Sequence, residues 1–122
     1  MYLMGIDIGT TGVKSAIFNE LGELIASGYT TYSLHTPKPG WAEQNPKDWW
    51  RATVTTIKDA LSSSNISPQD IACIGLSGQM HGSVFLDSSG KVIRPAILWN
   101  DQRTYRQCDK IYSCLLYTSP SP

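Results

Sequence analysis

The stretch Met4-Gly-Ile-Asp-Ile-Gly-Thr-Thr-Gly-Val-Lys-Ser-Ala-Ile-Phe18 decides how this chain is read. An apolar strand delivers one carboxylate, Asp7, directly into a turn of glycines and threonines. Gly9 and Gly12 permit backbone conformations closed to other residues and let peptide N–H groups come close to an anion. Thr10 and Thr11 add hydroxyl donors beside those amides. Asp7, at the strand end, is suited to hold Mg²⁺ through the metal's own waters. The pattern points to nucleotide phosphoryl chemistry. A second reading stands beside it, a plain β-hairpin turn in which Gly and Asp serve conformation alone. The turn lacks the Gly-Lys-Ser/Thr ending of a P-loop and the Gly-x-Gly-x-x-Gly of a dinucleotide fold, and a strand rather than a helix follows it.

Outward from this turn, strands are expected at Tyr2 to Ile8, Val13 to Asn19 and Leu24 to Tyr32, the last two joined by the turn Glu20 to Glu23. A loop from Ser33 to Gln44 follows, with two prolines and Gly40. Asn45-Pro46-Lys47-Asp48 begins a helix, with Asn as cap, Pro at the first helical position and an acid in the first turn. The helix should run to about Ser62, with Trp50, Val54, Ile57 and Leu61 on its buried face. Packing in that helix is the expected role of Trp49 and Trp50, while Trp41 is open between a structural and a ligand role. Ile71 to Ser77 reads as a strand buried on both sides, with Cys73 as a small buried hydrophobe. Strands at Ser83 to Asp87 and Val92 to Leu98 should flank the turn Ser88-Ser-Gly90. The order βββαβ is that of a ribonuclease-H-like α/β domain.

A chain of 122 residues suits one domain, and ten basic against ten acidic residues leave a formal net charge of zero. With no basic stripe and no apolar run beyond strand length, the pattern offers nothing for a nucleic acid or a membrane to bind. Cys73, Cys108 and Cys114 are well separated and form no Cys-x-x-Cys pair, so reduced thiols and a cytoplasmic location are expected.

Gly78-Gln79-Met80-His81-Gly82 directly follows the strand Ile71 to Ser77, and ligands of open α/β sheets gather at strand carboxyl ends. Gln79 both donates and accepts, His81 brings an imidazole, and the flanking glycines admit a polyol close to the backbone. A histidine satisfied structurally by its own turn is the competing reading of His81. Trp99-Asn-Asp-Gln-Arg103 offers a flat apolar face beside a carboxylate and a guanidinium, a second wall for a sugar. It also reads as a helix start capped by Asn100 or Asp101, with Trp99 in the core. Lys14 is open between facing the phosphates and facing solvent, and His35 is expected at the surface.

Asp7 to Lys14 resembles the first phosphate motif of the actin/Hsp70/hexokinase ATPase superfamily. Pro39 to Trp50, Gly75 to Gly82 and Arg94 to Arg103, in this order, narrow the resemblance to the amino-terminal part of the FGGY family of carbohydrate kinases, over roughly residues 1 to 110. Within that family the Gln-Met-His-Gly stretch is most similar to kinases of ketopentoses such as D-xylulose. The resemblance implies ATP as phosphoryl donor with Mg²⁺, phosphate contacts from Asp7, Gly9, Thr10, Thr11, Gly12 and Lys14, and sugar contacts from Met80 and His81, with Trp99 and Asp101 near the substrate. It places the general-base aspartate and the adenosine pocket in a second lobe beyond this length, so this chain holds no catalytic base and is expected to be inactive alone. That lobe is one expected partner, and a homodimer of the full-length enzyme is another. Residues 1–112 read as the incomplete kinase domain, and 113–122, which lose all charge, as a segment foreign to it. Two other function classes stand as alternatives, another polyol or sugar kinase of the family and a non-catalytic sugar- or nucleotide-binding module.

Overall fold

A computed structural model of the chain describes residues 1–115. Three antiparallel strands, β1 (Tyr2–Ile8), β2 (Gly12–Asn19) and β3 (Leu24–Thr31), are followed by the two-residue β4 (Glu43–Gln44), helix α1 (Pro46–Ser64), β5 (Ile71–Gly78), the two-residue β6 (Ala96–Ile97) and helix α2 (Tyr105–Leu115). The main sheet has the order β3-β2-β1-β5, and β5 joins β1 in parallel after the crossover through α1. β4 and β6 form a separate antiparallel ribbon. The expected βββαβ order is thus present, with β4 inserted before the helix.

Alternation along the strands sends Met4, Ile6, Val13 and Ile17 to one face, where they meet Ala52 and Ala60 of α1 in the core. The helix lies close because the sheet is thin beneath it. A Cβ on Gly28 would stand 2.5 Å from the Thr56 carbonyl. Ser15, between Val13 and Ile17 on the same face, shares a 2.7 Å hydrogen bond with the Thr56 hydroxyl, so this buried polar pair is satisfied. The Asn45 side chain accepts from the Lys47 amide at 3.1 Å at the start of α1, and Asn65 closes it in the left-handed region at φ 55°.

Several expectations fail on burial. The buried face of α1 is Ala52, Thr53, Thr56 and Ala60, with Ile57 and Leu61 at its margin, and Trp50 is 70% exposed. Close approach over Gly28 and Ser15 selects small side chains there, so the large apolar residues flank the contact rather than fill it. β5 is not buried on both sides. Beyond half-buried Ile71 its residues are exposed, Cys73 included. It is an edge strand, and α1 covers β3 and β2 instead of it.

The strands expected around Ser88–Gly90 reduce to isolated bridges, Leu86 with Val92 and Ser83 with Ile97. Pro95 has no N–H to continue that ladder, and Ala96–Ile97 pairs with β4 instead. No helix begins at Asn100 or Asp101. The next helix starts at Tyr105, and Trp99 is exposed rather than in the core. Residues 113–115 continue α2, while the rest of the segment expected to be foreign, 116–122, lies outside the described residues. Among the described residues no helix is long and apolar enough to cross a membrane.

Candidate functional site

The β1–β2 ladder sets Ile8 opposite Val13 and leaves Gly9–Thr11 as the turn. Gly9 donates its amide to the Gly12 carbonyl at 3.0 Å. Gly12 is required by space, since a Cβ there would lie 2.4 Å from the Thr30 carbonyl. The three carbonyls of the turn are all held by donors of the chain. The Tyr32 hydroxyl donates to Gly9 O, Gln44 Nε2 to Thr10 O at 2.7 Å, and the Tyr32 amide to Thr11 O at 3.3 Å. Burial first, and the Asp7 charge second, push the Tyr32 phenol up to about 12, which keeps it a donor throughout the neutral range. Among the described residues the amides of Thr10 and Thr11 have no hydrogen-bond partner. A turn with its carbonyls occupied and its amides free favours an anion.

Asp7 and Lys14 face each other across the ladder, both exposed, on the sheet face away from α1. Neither forms an ion pair among the described residues. Lys14 is therefore free to meet an anion arriving beside the turn.

The amide of Gln79 donates to Ile8 O at 2.9 Å, extending the β1–β5 pairing one step beyond the strand ends. There a cleft of about 280 Å³ is lined by Ile8, Trp49, Gly78, Gln79, His81 and Gly82. His81 is exposed and held at φ 59°, which turns the chain sharply at the cleft mouth. Met80 is 70% exposed and does not line this cleft. Trp99 is brought from the far end of the sequence to the turn itself, donating Nε1 to the Thr10 hydroxyl at 3.1 Å.

Asp101 is used internally. Its Oδ2 accepts from the Ala42 amide and Arg103 Nη2, both at 2.7 Å, and its Oδ1 from Arg103 Nε at 2.8 Å. Arg103, foremost, holds the Asp101 carboxyl down at about 2. Arg103 also pairs with buried Glu43 at 2.8 Å and lies over the Trp41 ring at 3.8 Å, while Arg94 meets the same Glu43 oxygen at 2.6 Å. What the geometry gives Asp101 is the anchoring of the segment that carries Trp99.

With this geometry, the sequence of residues 2–118 matches the N-terminal domain of the FGGY family of carbohydrate kinases. The chain belongs to this family. It is 46% identical over 108 residues to the xylulose kinase of Escherichia coli (strain K12), which covers 88% of this chain and 22% of that protein. The xylulose kinase of Bacillus subtilis (strain 168) is 46% identical over 107 residues, again 88% of this chain and 21% of its own length. The chain superposes with a TM-score of 0.87 and 38% identity on the crystal structure of a xyloylose kinase from Brucella ovis, over 91% of this chain and 23% of the other. It thus spans about a fifth of the length of the curated relatives it matches. The fold is a partial lobe of the actin/hexokinase-like ATPase type, as the β1–β2 turn implied.

In this FGGY domain the predicted residues gather in two adjoining places, Gly9 to Gly12 with Trp99 at the turn, and Gln79, His81 and Gly82 at the cleft. Gln44 and Tyr32 were not legible as site residues, and Arg103, read as part of a sugar wall, is instead engaged by Asp101 and Glu43. Gln44 is 1% exposed and touches both places, since its Oε1 accepts from Trp49 Nε1 at 3.0 Å and Gln79 Nε2 at 3.1 Å. The only signal for it was an acid–amide pair, Glu43-Gln44, immediately before a helix cap. Apart from Trp49, five positions on, the side-chain partners of Glu43 and Gln44 lie 34 to 60 positions away, beyond any local pattern.

Proposed function

We propose that this chain is the amino-terminal part of an ATP-dependent, cytoplasmic ketopentose kinase that converts D-xylulose to D-xylulose 5-phosphate. The observation that carries the reading is the turn Gly9–Gly12, whose carbonyls are tied back while the Thr10 and Thr11 amides stay free, next to a cleft lined by Gln79, His81 and Gly82. The xylulose kinases among its relatives favour a ketopentose over other sugars.

In this reading the free amides and the hydroxyls of Thr10 and Thr11 receive the phosphates of ATP, Gly9 and Gly12 shape the turn that presents them, and Lys14 offsets the phosphate charge. The exposed, unpaired carboxylate of Asp7 fits a Mg²⁺ held mainly by water and phosphate oxygens. Bound there, the metal would neutralise charge on the transferring phosphoryl group. Among the described residues no cluster of three or more His, Cys, Asp or Glu offers an all-protein cage, which suits a metal that arrives with the nucleotide.

Gln79, His81 and Gly82 bind the sugar on one side, with exposed Met80 outside the cleft lining and reaching it only from the rim, Trp99 closes the other, and Asp101 fixes Trp99's segment. The bond from the γ-phosphorus to the sugar oxygen forms as the bond to the β-phosphate oxygen breaks. The hydroxyl proton passes to an aspartate that the family's second lobe contributes. Positioning and electrostatics do most of the work on this chain's side. Residues 1–122 alone are then expected to turn over no sugar. The full-length enzyme is taken as a homodimer.

The test is ADP release by the full-length protein with D-xylulose, glycerol or gluconate as acceptor. Turnover that requires sugar and prefers D-xylulose is the expected result. A preference for glycerol or gluconate would move the protein to another branch of the family. Binding of the ketose without any turnover would make it a sugar-binding module.

A further inference from the structure

We infer that Gln44 is a positioning residue that couples the phosphate turn to the sugar side of the cleft, so that occupancy of one strengthens the other. The inference rests on the kinase reading above and adds to it a residue that neither the turn nor the cleft motif contains.

Which groups can donate fixes how each of these amides lies. The indole of Trp49 is a donor only, so the Gln44 atom 3.0 Å from it must be the amide oxygen. The Gln44 nitrogen then points the other way and donates to the Thr10 carbonyl at 2.7 Å, a group that can only accept. The same Gln44 oxygen is 3.1 Å from the Gln79 side chain, which must present its NH₂ there, since two carbonyl oxygens would repel. Gln79 Oε1 is left buried without a donor among the described residues. Leaving such an acceptor unmet is unfavourable. Its orientation is therefore imposed from Gln44 rather than chosen by its own surroundings.

One amide thus fixes the carbonyl behind the phosphate-facing amides of the turn and the rotamer of a residue on the sugar cleft wall. At 1% exposure it has no water to replace either bond. A shift of Thr10 when phosphate binds must pass to Gln79 through a single rigid group, and the converse holds equally.

The experiment measures KM for D-xylulose and for MgATP in the full-length protein. It also measures the factor by which a non-hydrolysable ATP analogue tightens D-xylulose binding. Gln44→Met keeps the length and apolar body of the side chain and removes all three bonds. It should raise both KM values about fivefold or more, roughly the worth of one net hydrogen bond on each side. The coupling factor should fall towards one, with kcat changed less than either KM. Trp49→Phe removes only the donor that sets the amide's polarity; it should shift the same quantities in the same direction by less, and it carries the test if Gln44→Met does not fold.

Variants that lose thermal stability while both KM values and the coupling factor stay within about twofold of wild type would show a structural role only and overturn the inference, leaving the kinase reading intact. A wild-type protein with no sugar-dependent turnover would overturn that reading and this inference with it.

Discussion

Trp99 Nε1 donates to the Thr10 hydroxyl at 3.1 Å, joining residues 89 positions apart at the rim of the β1–β2 turn. Trp99 is 58% exposed, so burying it contributes little to the fold. Trp99→Phe keeps an aromatic face and removes the bond. We expect the melting temperature to stay within about 4 °C, because an exposed hydrogen bond contributes roughly 1 kcal/mol at most. The sugar KM should rise about threefold or more in steady-state kinetics of the full-length protein.

Asp101 makes stability depend on acid. Its carboxyl sits at about 2 when folded, against an ordinary 3.8, chiefly because Arg103 hydrogen-bonds the charged form. A depressed folded value means that the stabilisation is complete above about pH 4 and is lost as pH falls through the window from 4 to 2. Urea unfolding followed across that window should show stability falling with pH in wild type. Asp101→Asn, with no carboxyl to titrate, should be less stable at pH 7, and that component of the acid dependence should be missing.

Gly12 and Gly75 should respond oppositely to the same change. A Cβ at Gly12 meets the Thr30 carbonyl at 2.4 Å and Thr31 Cα at 3.0 Å, both backbone, so neither can swing aside. Gly12→Ala should destabilise by about 1–3 kcal/mol, as overpacking does. At Gly75 nothing lies within 4 Å, and Gly75→Ala should stay within about 0.5 kcal/mol of wild type. Chemical denaturation of the two variants side by side checks both.

The local patterns that survive in the structure are those governed by nearest neighbours. The β1–β2 turn and the Asn45 cap depend on a few adjacent residues, and each is where the sequence suggested. Burial was less legible. Ile74 and Leu76 read as core, yet they sit 57% and 75% exposed on an edge strand, because hydrophobicity does not say which elements cover which. Trp50 misled in the same way, since the closeness set by Gly28 decided which helix residues could fit.

In the candidate site, Gly9 to Gly12 and Gln79, His81 and Gly82 could be picked out because their donors and acceptors lie in contiguous motifs. Gln44 could not, nor could the pairing of Glu43 with Arg103, because these contacts join residues remote in sequence. Asp101 looked like a free ligand until its two oxygens were seen to be engaged by Ala42 and Arg103.

On the proposed function, one end of this site serves phosphate and the other serves sugar. The most direct measurement is a matched pair of kinetic titrations on full-length Asp7→Asn and His81→Ala. Asp7→Asn should reduce kcat by about a hundredfold or more, the scale of losing an electrostatic contribution to phosphoryl transfer, with the sugar KM little changed. His81→Ala should raise the sugar KM about tenfold while the ATP KM stays within twofold. Two variants with the same kinetic constants as wild type, or both affecting only ATP, would contradict the account.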